Sequence, residues 1–323
     1  MSNRDTSVFG PVPSRRLGQS LGINNIPHKH CSYSCIYCQV GKAVKMQAER
    51  GVFLEPQILI EAVQKRLEEV EEGQLPDYLT IVPDGEPTLD RNLGQLIDGL
   101  KETGYPVAVI TNGSLLQFPD VSTRIARADF VSVKVDTASE TLWKRVNRPH
   151  KSLDFQRVKE GIIEFASGFR GELVTETMLV RNENDNPSEL ERTADFIQQV
   201  EPDIAYIAVP TRPPAFKDVH QPAHLSLVQA YELFRKRKLD TELLTGYEGN
   251  AFVSTGNLAE DLLRITAVHP IRQDAVEALK RQSGDRDEVV EELIQEKKVT
   301  RVRFGRYNYY VRNFTKPGRQ TDE

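Results

Sequence analysis

From residue 20 to about 210, strand-like apolar runs alternate with amphipathic helical stretches at a period of roughly thirty residues. The runs are "SLGINNI", "DYLTIV", "PVAVIT", "DFVSVKVD", "ELVTETMLV" and "DIAYIAVP". Between the later ones lie "QILIEAVQKRLEEVEEG", "NLGQLIDGLKETG", "VSTRIARA", "DFQRVKEGIIEFA" and "PSELERTADFIQQV". Their apolar residues recur at three- and four-residue spacing, and Gly73 and Gly104 act as stops. Such alternation predicts an α/β fold in which helices pack outside a parallel sheet. Crossovers of one hand wind that sheet toward a barrel. Six strands fall short of a closed eightfold barrel, so the expectation is a partial (β/α)6 barrel. Ligands of such folds sit at the C-terminal ends of the strands. "PDGEPT", "TNG" and "DTA" each fall just after a strand.

Residues 212–224 are rich in Pro and polar groups and read as a loop, followed by the helical "LSLVQAYELFRKRK". After "LLTGYEGN" the pattern changes. The division expected is a barrel domain over 1–250 and a small domain over 251–323. The second part shows three short helices, "NLAEDLLRITAV", "IRQDAVEALKRQ" and "RDEVVEELIQEK". "VTRVRFGRYNYYVRNF" then alternates about Gly305 and reads as a hairpin. Three helices and a hairpin are the layout of a winged helix.

The 323 residues suffice for a well-buried core. A net charge of −5 leaves no overall attraction to nucleic acid, so any basic site is local. No apolar run approaches the ~18 residues of a membrane span, and the polar start does not read as a signal peptide. A cytoplasmic protein is expected.

All three cysteines, Cys31, Cys35 and Cys38, fall inside "HKHCSYSCIYCQVG". An odd number so closely spaced is a poor disulfide framework. Structural zinc needs four ligands, and the fourth here is His28 or His30, in a strained ring. A redox C-x-x-C pair leaves Cys31 unexplained. An iron–sulfur cluster uses thiolates, and three on one loop hold three irons of a cubane and leave the fourth open.

The run from Cys31 to Cys38, with the aromatic Tyr37 before the last cysteine, resembles the signature of the radical S-adenosylmethionine (SAM) superfamily. The resemblance implies one 4Fe-4S cluster on Cys31, Cys35 and Cys38, whose open iron binds SAM. It also implies an external electron donor that reduces the cluster, and cleavage of SAM to a 5′-deoxyadenosyl radical. By the same resemblance Gly85, Glu86 and Pro87 position the methionine amino group. Tyr37, Asn112 and Asp136 belong to the cofactor site as well. A carboxylate beside backbone carbonyls suits an ammonium donor, although Gly-Glu-Pro and Asn-Gly are also turn formers. Over residues 9–215, "FGPVPSRRLGQSLGINNIPHKHCSYSCIYCQVG", "DGEPTL" and "VKVDTASETLWKRVNRPH" resemble the bacterial relatives of wyosine-synthesis enzymes. Wyosine synthases carry a second cluster on further cysteines, which this chain lacks. Asp84 stands where many members have a small residue.

Arg15 and Arg16, with Arg148 and His150 after the fourth strand, are candidate contacts for an anionic substrate. Lys134 lies within an apolar strand and requires a partner, such as Glu86 or Glu176. From residue 297 to 319 there are eight Lys or Arg and no acid, interleaved with aromatics. That pattern suits a phosphate backbone and unstacked bases. A nucleoside in RNA, such as tRNA, is therefore the first expectation for substrate. A radical activase or modifier of a protein is an alternative, as is a redox sensor that binds DNA through the winged helix.

Overall fold

Each central strand divides its side chains between two layers, as the two-residue period of a strand requires. The computed structural model describes residues 7–246, 252–268, 270–286 and 288–313. The first half contains β1 (Val8–Ser14), β2 (Gly18–Ile23), β3 (His30–Cys31), β4 (Lys45–Met46), α1 (Pro56–Glu69), β5 (Tyr78–Ile81), α2 (Leu93–Lys101), β6 (Val107–Thr111), α3 (Pro119–Ile125), β7 (Phe130–Lys134) and α4 (Glu140–Val146). It continues with α5 (Phe155–Gly168), β8 (Glu172–Met178), α6 (Pro187–Val200), β9 (Ile204–Ala208), α7 (His224–Lys236) and β10 (Thr241–Leu244). The last part holds α8 (Leu258–Val268), β11 (Ile271–Arg272), α9 (Gln273–Ser283), α10 (Val289–Gln295), β12 (Val299–Phe304) and β13 (Tyr307–Arg312).

The main sheet has the order β1-β2-β5-β6-β7-β8-β9-β10. From β2 to β10 all pairs are parallel, and β1 runs antiparallel to β2. The parallel strands number seven where six were expected. The addition is β10, whose two middle side chains, Glu242 and Leu243, are exposed, so it shows neither the apolar run of β5 nor an alternation. β1 also escaped detection because Gly10, Pro11 and Pro13 disguise it; proline is tolerated there because β1 is an edge strand.

Neighbours in this sheet are neighbours in sequence, so crossovers of one hand put the helices on one face. There Val107, Val109, Val131 and Val133 pack with Leu96, Ile97 and Leu100 of α2 in the main core. On the other face Ala108, Phe130, Val174 and Ala208 form a small inner cluster. The sheet curls: Arg15, in the turn between β1 and β2, donates from Nη1 to the Leu244 carbonyl of β10 at 2.7 Å. The two edges thus meet across an open seam.

The C-terminal part has three helices against an antiparallel sheet of order β11-β13-β12. Gly305 takes φ 57° at the hairpin turn, a conformation that favours glycine. Leu258, Leu262, Ile271, Leu279 and Tyr310 share one core with Phe9 and Val12 of β1. The Tyr309 hydroxyl donates to the Thr211 carbonyl at 2.8 Å, tying the hairpin to the loop after β9. Tyr309→Phe is expected to cost about 0.5–1.5 kcal/mol, the net value of such a bond, read as a lower denaturant midpoint at unchanged slope. Phe314, Lys316, Arg319 and the 250–251 boundary lie outside the described residues. Among those residues no helix is long and apolar enough to cross a membrane.

Candidate functional site

The loop that follows β2 is fixed by backbone bonds rather than by regular structure. Ser34 N donates to Asn147 O at 3.0 Å and Ile36 N to Val146 O at 2.9 Å, so the loop docks on the end of α4. Cys38 N to Cys35 O (3.2 Å) and Gly41 N to Cys38 O (3.1 Å) make two consecutive turns. Cys31 lies in β3, whose His30 carbonyl accepts Glu86 N at 3.1 Å. Gly85 makes that approach possible: a Cβ there would stand 2.0 Å from the His30 carbonyl oxygen.

None of the three cysteines is in a disulfide, and all three line one cavity of about 320 Å³. Each sulfur receives an N–H donor. Cys31 Sγ accepts from Tyr33 N at 3.4 Å and lies 3.7 Å from Asn112 Nδ2. Cys35 Sγ accepts from Asn147 Nδ2 at 3.5 Å and Cys38 Sγ from Lys29 Nζ at 3.2 Å. Burial pushes the Cys35 thiol up to about 12, with the charges of Asp136 and Cys38 adding to it. Burial and then Glu86 push Cys31 up as well. These thiols need a strong cation to ionise, yet their donors are set for anionic sulfur, which is what a metal cluster supplies. Of the two nearby histidines, His28 Nδ1 bonds the Asp84 carboxylate, and the His30 ring meets Phe53 edge-on at 5.9 Å.

Glu86, 1 % exposed, lines the cavity at the end of β5. Its Oε1 accepts from Thr88 N (3.1 Å), Thr88 Oγ1 (2.5 Å) and Thr111 Oγ1 (2.6 Å), while Oε2 accepts from Asn112 N at 2.8 Å. Burial raises its pKa and those four donors oppose the rise. Oε2 keeps capacity for a further donor, since a carboxylate offers about four lone-pair sites. Asn112 lines the same wall and donates to Ser32 Oγ at 2.9 Å. Tyr37 also lines the cavity, and its hydroxyl donates to Asp136. Asp136 stands behind that wall: it also accepts from Asn147 Nδ2 (2.5 Å) and Met178 N (2.9 Å). Pro87 does not line the cavity; its carbonyl accepts Asn25 Nδ2 at 3.2 Å.

Four cationic side chains, Arg15, Arg16, Lys134 and Arg212, line the same cavity as the cysteines, with Lys134 Nζ 5.0 Å over the Tyr37 ring. Arg16 pairs with Glu176, and Lys134 donates to the same carboxylate at 2.5 Å. Glu176, rather than Glu86, is therefore the partner of the strand lysine. Burial lowers the Lys134 pKa. Arg148 and His150 do not reach the cavity: the Arg148 guanidinium lies 4.2 Å above the Phe216 ring, and His150 Nδ1 meets Ser152 Oγ at 2.8 Å. Arg212, Asn147 and Lys29 are the site residues that sequence reasoning missed. All three sit in loops, where side-chain direction has no period to read. Arg212 donates to Gln39 beside Cys38 at 2.9 Å, so the loop after β9 closes against the cysteine loop.

The model of the Radical SAM superfamily matches residues 25–197. A UPF0026 protein of Methanocaldococcus jannaschii is 38% identical over 310 residues, which cover 95% of this chain and 96% of that protein. A solved structure of TYW1 with a lysine–pyruvate adduct bound superposes with TM-score 0.52 at 18% identity, covering 68% of this chain and 75% of that one. A radical SAM methyltransferase from Sphaerobacter thermophilus superposes with TM-score 0.54 at 14% identity, covering 70% and 66%. At those identities the two structures establish a common fold.

Proposed function

This chain belongs to the radical SAM superfamily, and on that premise we propose that it binds SAM at one 4Fe-4S cluster and modifies a nucleoside in RNA. The family's cofactors are that cluster and SAM, and the chain is an enzyme whose reaction is unassigned. The observation that carries the reading is one cavity lined by three cysteines, Glu86 and Asn112, and by the cationic side chains of Arg15, Arg16, Lys134 and Arg212.

In this proposal Cys31, Cys35 and Cys38 would hold the cluster. The chemistry supplied by a cluster bound there would be one-electron reduction of SAM, with the electron coming from an external donor. Glu86 Oε2 would receive the methionine ammonium, with Asn112 beside it. Tyr37, Asp136 and Asn147 hold the cysteine loop in shape through their shared hydrogen bonds. Arg15, Arg16, Lys134 and Arg212 would hold a phosphate or other anionic group of the substrate. Their position replaces Arg148 and His150 in that role.

The proposed architecture is a partial (β/α) barrel with a winged-helix-like C-terminal domain. The basic hairpin β12–β13 would guide RNA to the cavity, because Tyr309 anchors it to the loop that carries Arg212. Three unpaired cysteines suit a reducing cytoplasm. The test is anaerobic: the reconstituted full chain receives dithionite and SAM, and 5′-deoxyadenosine is measured by mass spectrometry, with and without a tRNA fraction. Production stimulated by tRNA, with a mass shift in its nucleosides, is expected. Absence of 5′-deoxyadenosine from a chain with a full cluster would sink the enzymatic reading. Production indifferent to RNA would remove the substrate and favour a protein target.

A further inference from the structure

The cysteine loop begins with a lysine that is turned inward. Lys29 is 4 % exposed and takes φ 55°, a conformation uncommon outside glycine. Its backbone is held on both sides: its N–H donates to Asp84 Oδ1 at 3.4 Å, and its carbonyl accepts Val44 N at 3.1 Å and Lys45 N at 3.3 Å. That turn sends the side chain to the cluster side, where Nζ donates to Cys38 Sγ at 3.2 Å. Among the described residues its amine has no carboxylate in ion-pair contact, and the Asp84 carboxylate beside its backbone is taken by His28.

A buried ammonium is costly unless an anion faces it. The group in reach is the Cys38 sulfur. The other two sulfurs meet neutral donors only, from Tyr33 N, Asn112 and Asn147. At hydrogen-bond distance the three sulfurs therefore have one charged donor, on Cys38, and its backbone is held in place by the fold.

We infer that Lys29 is a positioning residue that sets the reduction potential of the cluster, by holding a positive charge against the Cys38 sulfur. The inference rests on the cluster reading given above. One electron from an external reductant adds one negative charge to the cluster, and no bond to Lys29 forms or breaks. A fixed cation at a ligand sulfur favours the more negative, reduced form. Hydrogen bonds and charge around the sulfurs are established levers on such potentials.

The test is a mediated redox titration of the reconstituted full chain, followed by electron paramagnetic resonance, with iron content measured on each sample. Removing one unit charge within about 10 Å at an effective dielectric of about 20, Lys29→Met is expected to move the reduction equilibrium about tenfold toward the oxidised form, which is 59 mV more negative for a one-electron couple. Lys29→Gln, which keeps N–H donors but not the charge, should follow it. Lys29→Arg should stay close to the native potential. Neutral variants with full iron and an unmoved potential overturn the inference. So does failure of both to hold iron, which would make Lys29 an assembly residue. A wild-type chain that takes up no four-iron cluster fails differently: it removes the site reading itself, and this inference with it.

Discussion

Cys35→Ala is expected to reduce SAM cleavage to background while the polypeptide stays folded. Loss of an outer-shell partner at a metal site costs roughly 10–100-fold; loss of one of three thiolate ligands should exceed that. The fold should tolerate the change. Cys35 packs at the margin of the main core, and replacing it removes a single sulfur. A cost near the typical ~1 kcal/mol of point substitutions is expected, measured by urea unfolding of the iron-free chains.

The same pair of proteins carries a pH signature. In the folded chain the Cys35 thiol ionises at about 12 instead of its ordinary 9.0. Between those values the unfolded chain has lost a proton that the folded chain keeps, so the folded chain binds more protons. Stability from this thiol is fully present below pH 9 and is lost as pH rises toward 12. The iron-free native chain should therefore lose more stability between about pH 8 and about pH 10 than Cys35→Ala does. Equal slopes for the two would show that the thiol is not held protonated by its site.

Gly85→Ala is the second large effect expected. The new Cβ would stand 2.0 Å from the His30 carbonyl oxygen, 2.9 Å from its carbon and 2.8 Å from Ile26 Cδ1. Two of those contacts are with backbone, so no rotamer change relieves them. His30 O is also the acceptor of Glu86 N, and Cys31 is the next residue. Relief must displace Cys31 or Glu86, the two sides of the candidate SAM site. Overpacking costs typically 1–3 kcal/mol, and a displacement near 1 Å at a site costs on the order of a hundredfold in rate. Both the denaturant midpoint and the iron retained per chain should fall. Gly73→Ala is the control: a Cβ there meets nothing within 4 Å, and its stability should be unchanged or slightly higher. If Gly85→Ala matched it, the close approach at His30 would carry no weight.

Much of the candidate site is local in sequence. Cys31, Cys35 and Cys38 stand out by spacing, and Glu86 and Asn112 by the family resemblance of their segments just after strands. The same logic misled at Arg148 and His150. They also follow a strand, but α4 intervenes and carries them to the outside, where Arg148 stacks on Phe216. Lys134 showed in sequence that it needed an acid. Its choice of Glu176 over Glu86 depended on β7 pairing with β8, which sets Lys134 opposite Glu176 in the register. The seventh parallel strand was invisible because Glu242 and Leu243 are exposed side by side and leave no apolar run, whereas α2, with Leu93, Leu96, Ile97 and Leu100 all buried, displays its period plainly.

The sequence by itself determined the strand-and-helix alternation, the clustering of the three cysteines on one loop and the placing of the polar motifs just after strands, because each is encoded by periodicity or spacing along the chain. Only the tertiary structure decided which distant groups share the cavity. The curl of the sheet brings Arg15 to Leu244, the loop after β9 brings Arg212 to Gln39, and the C-terminal core closes over Phe9 and Val12. Those meetings join residues far apart in the chain, and no local pattern records them.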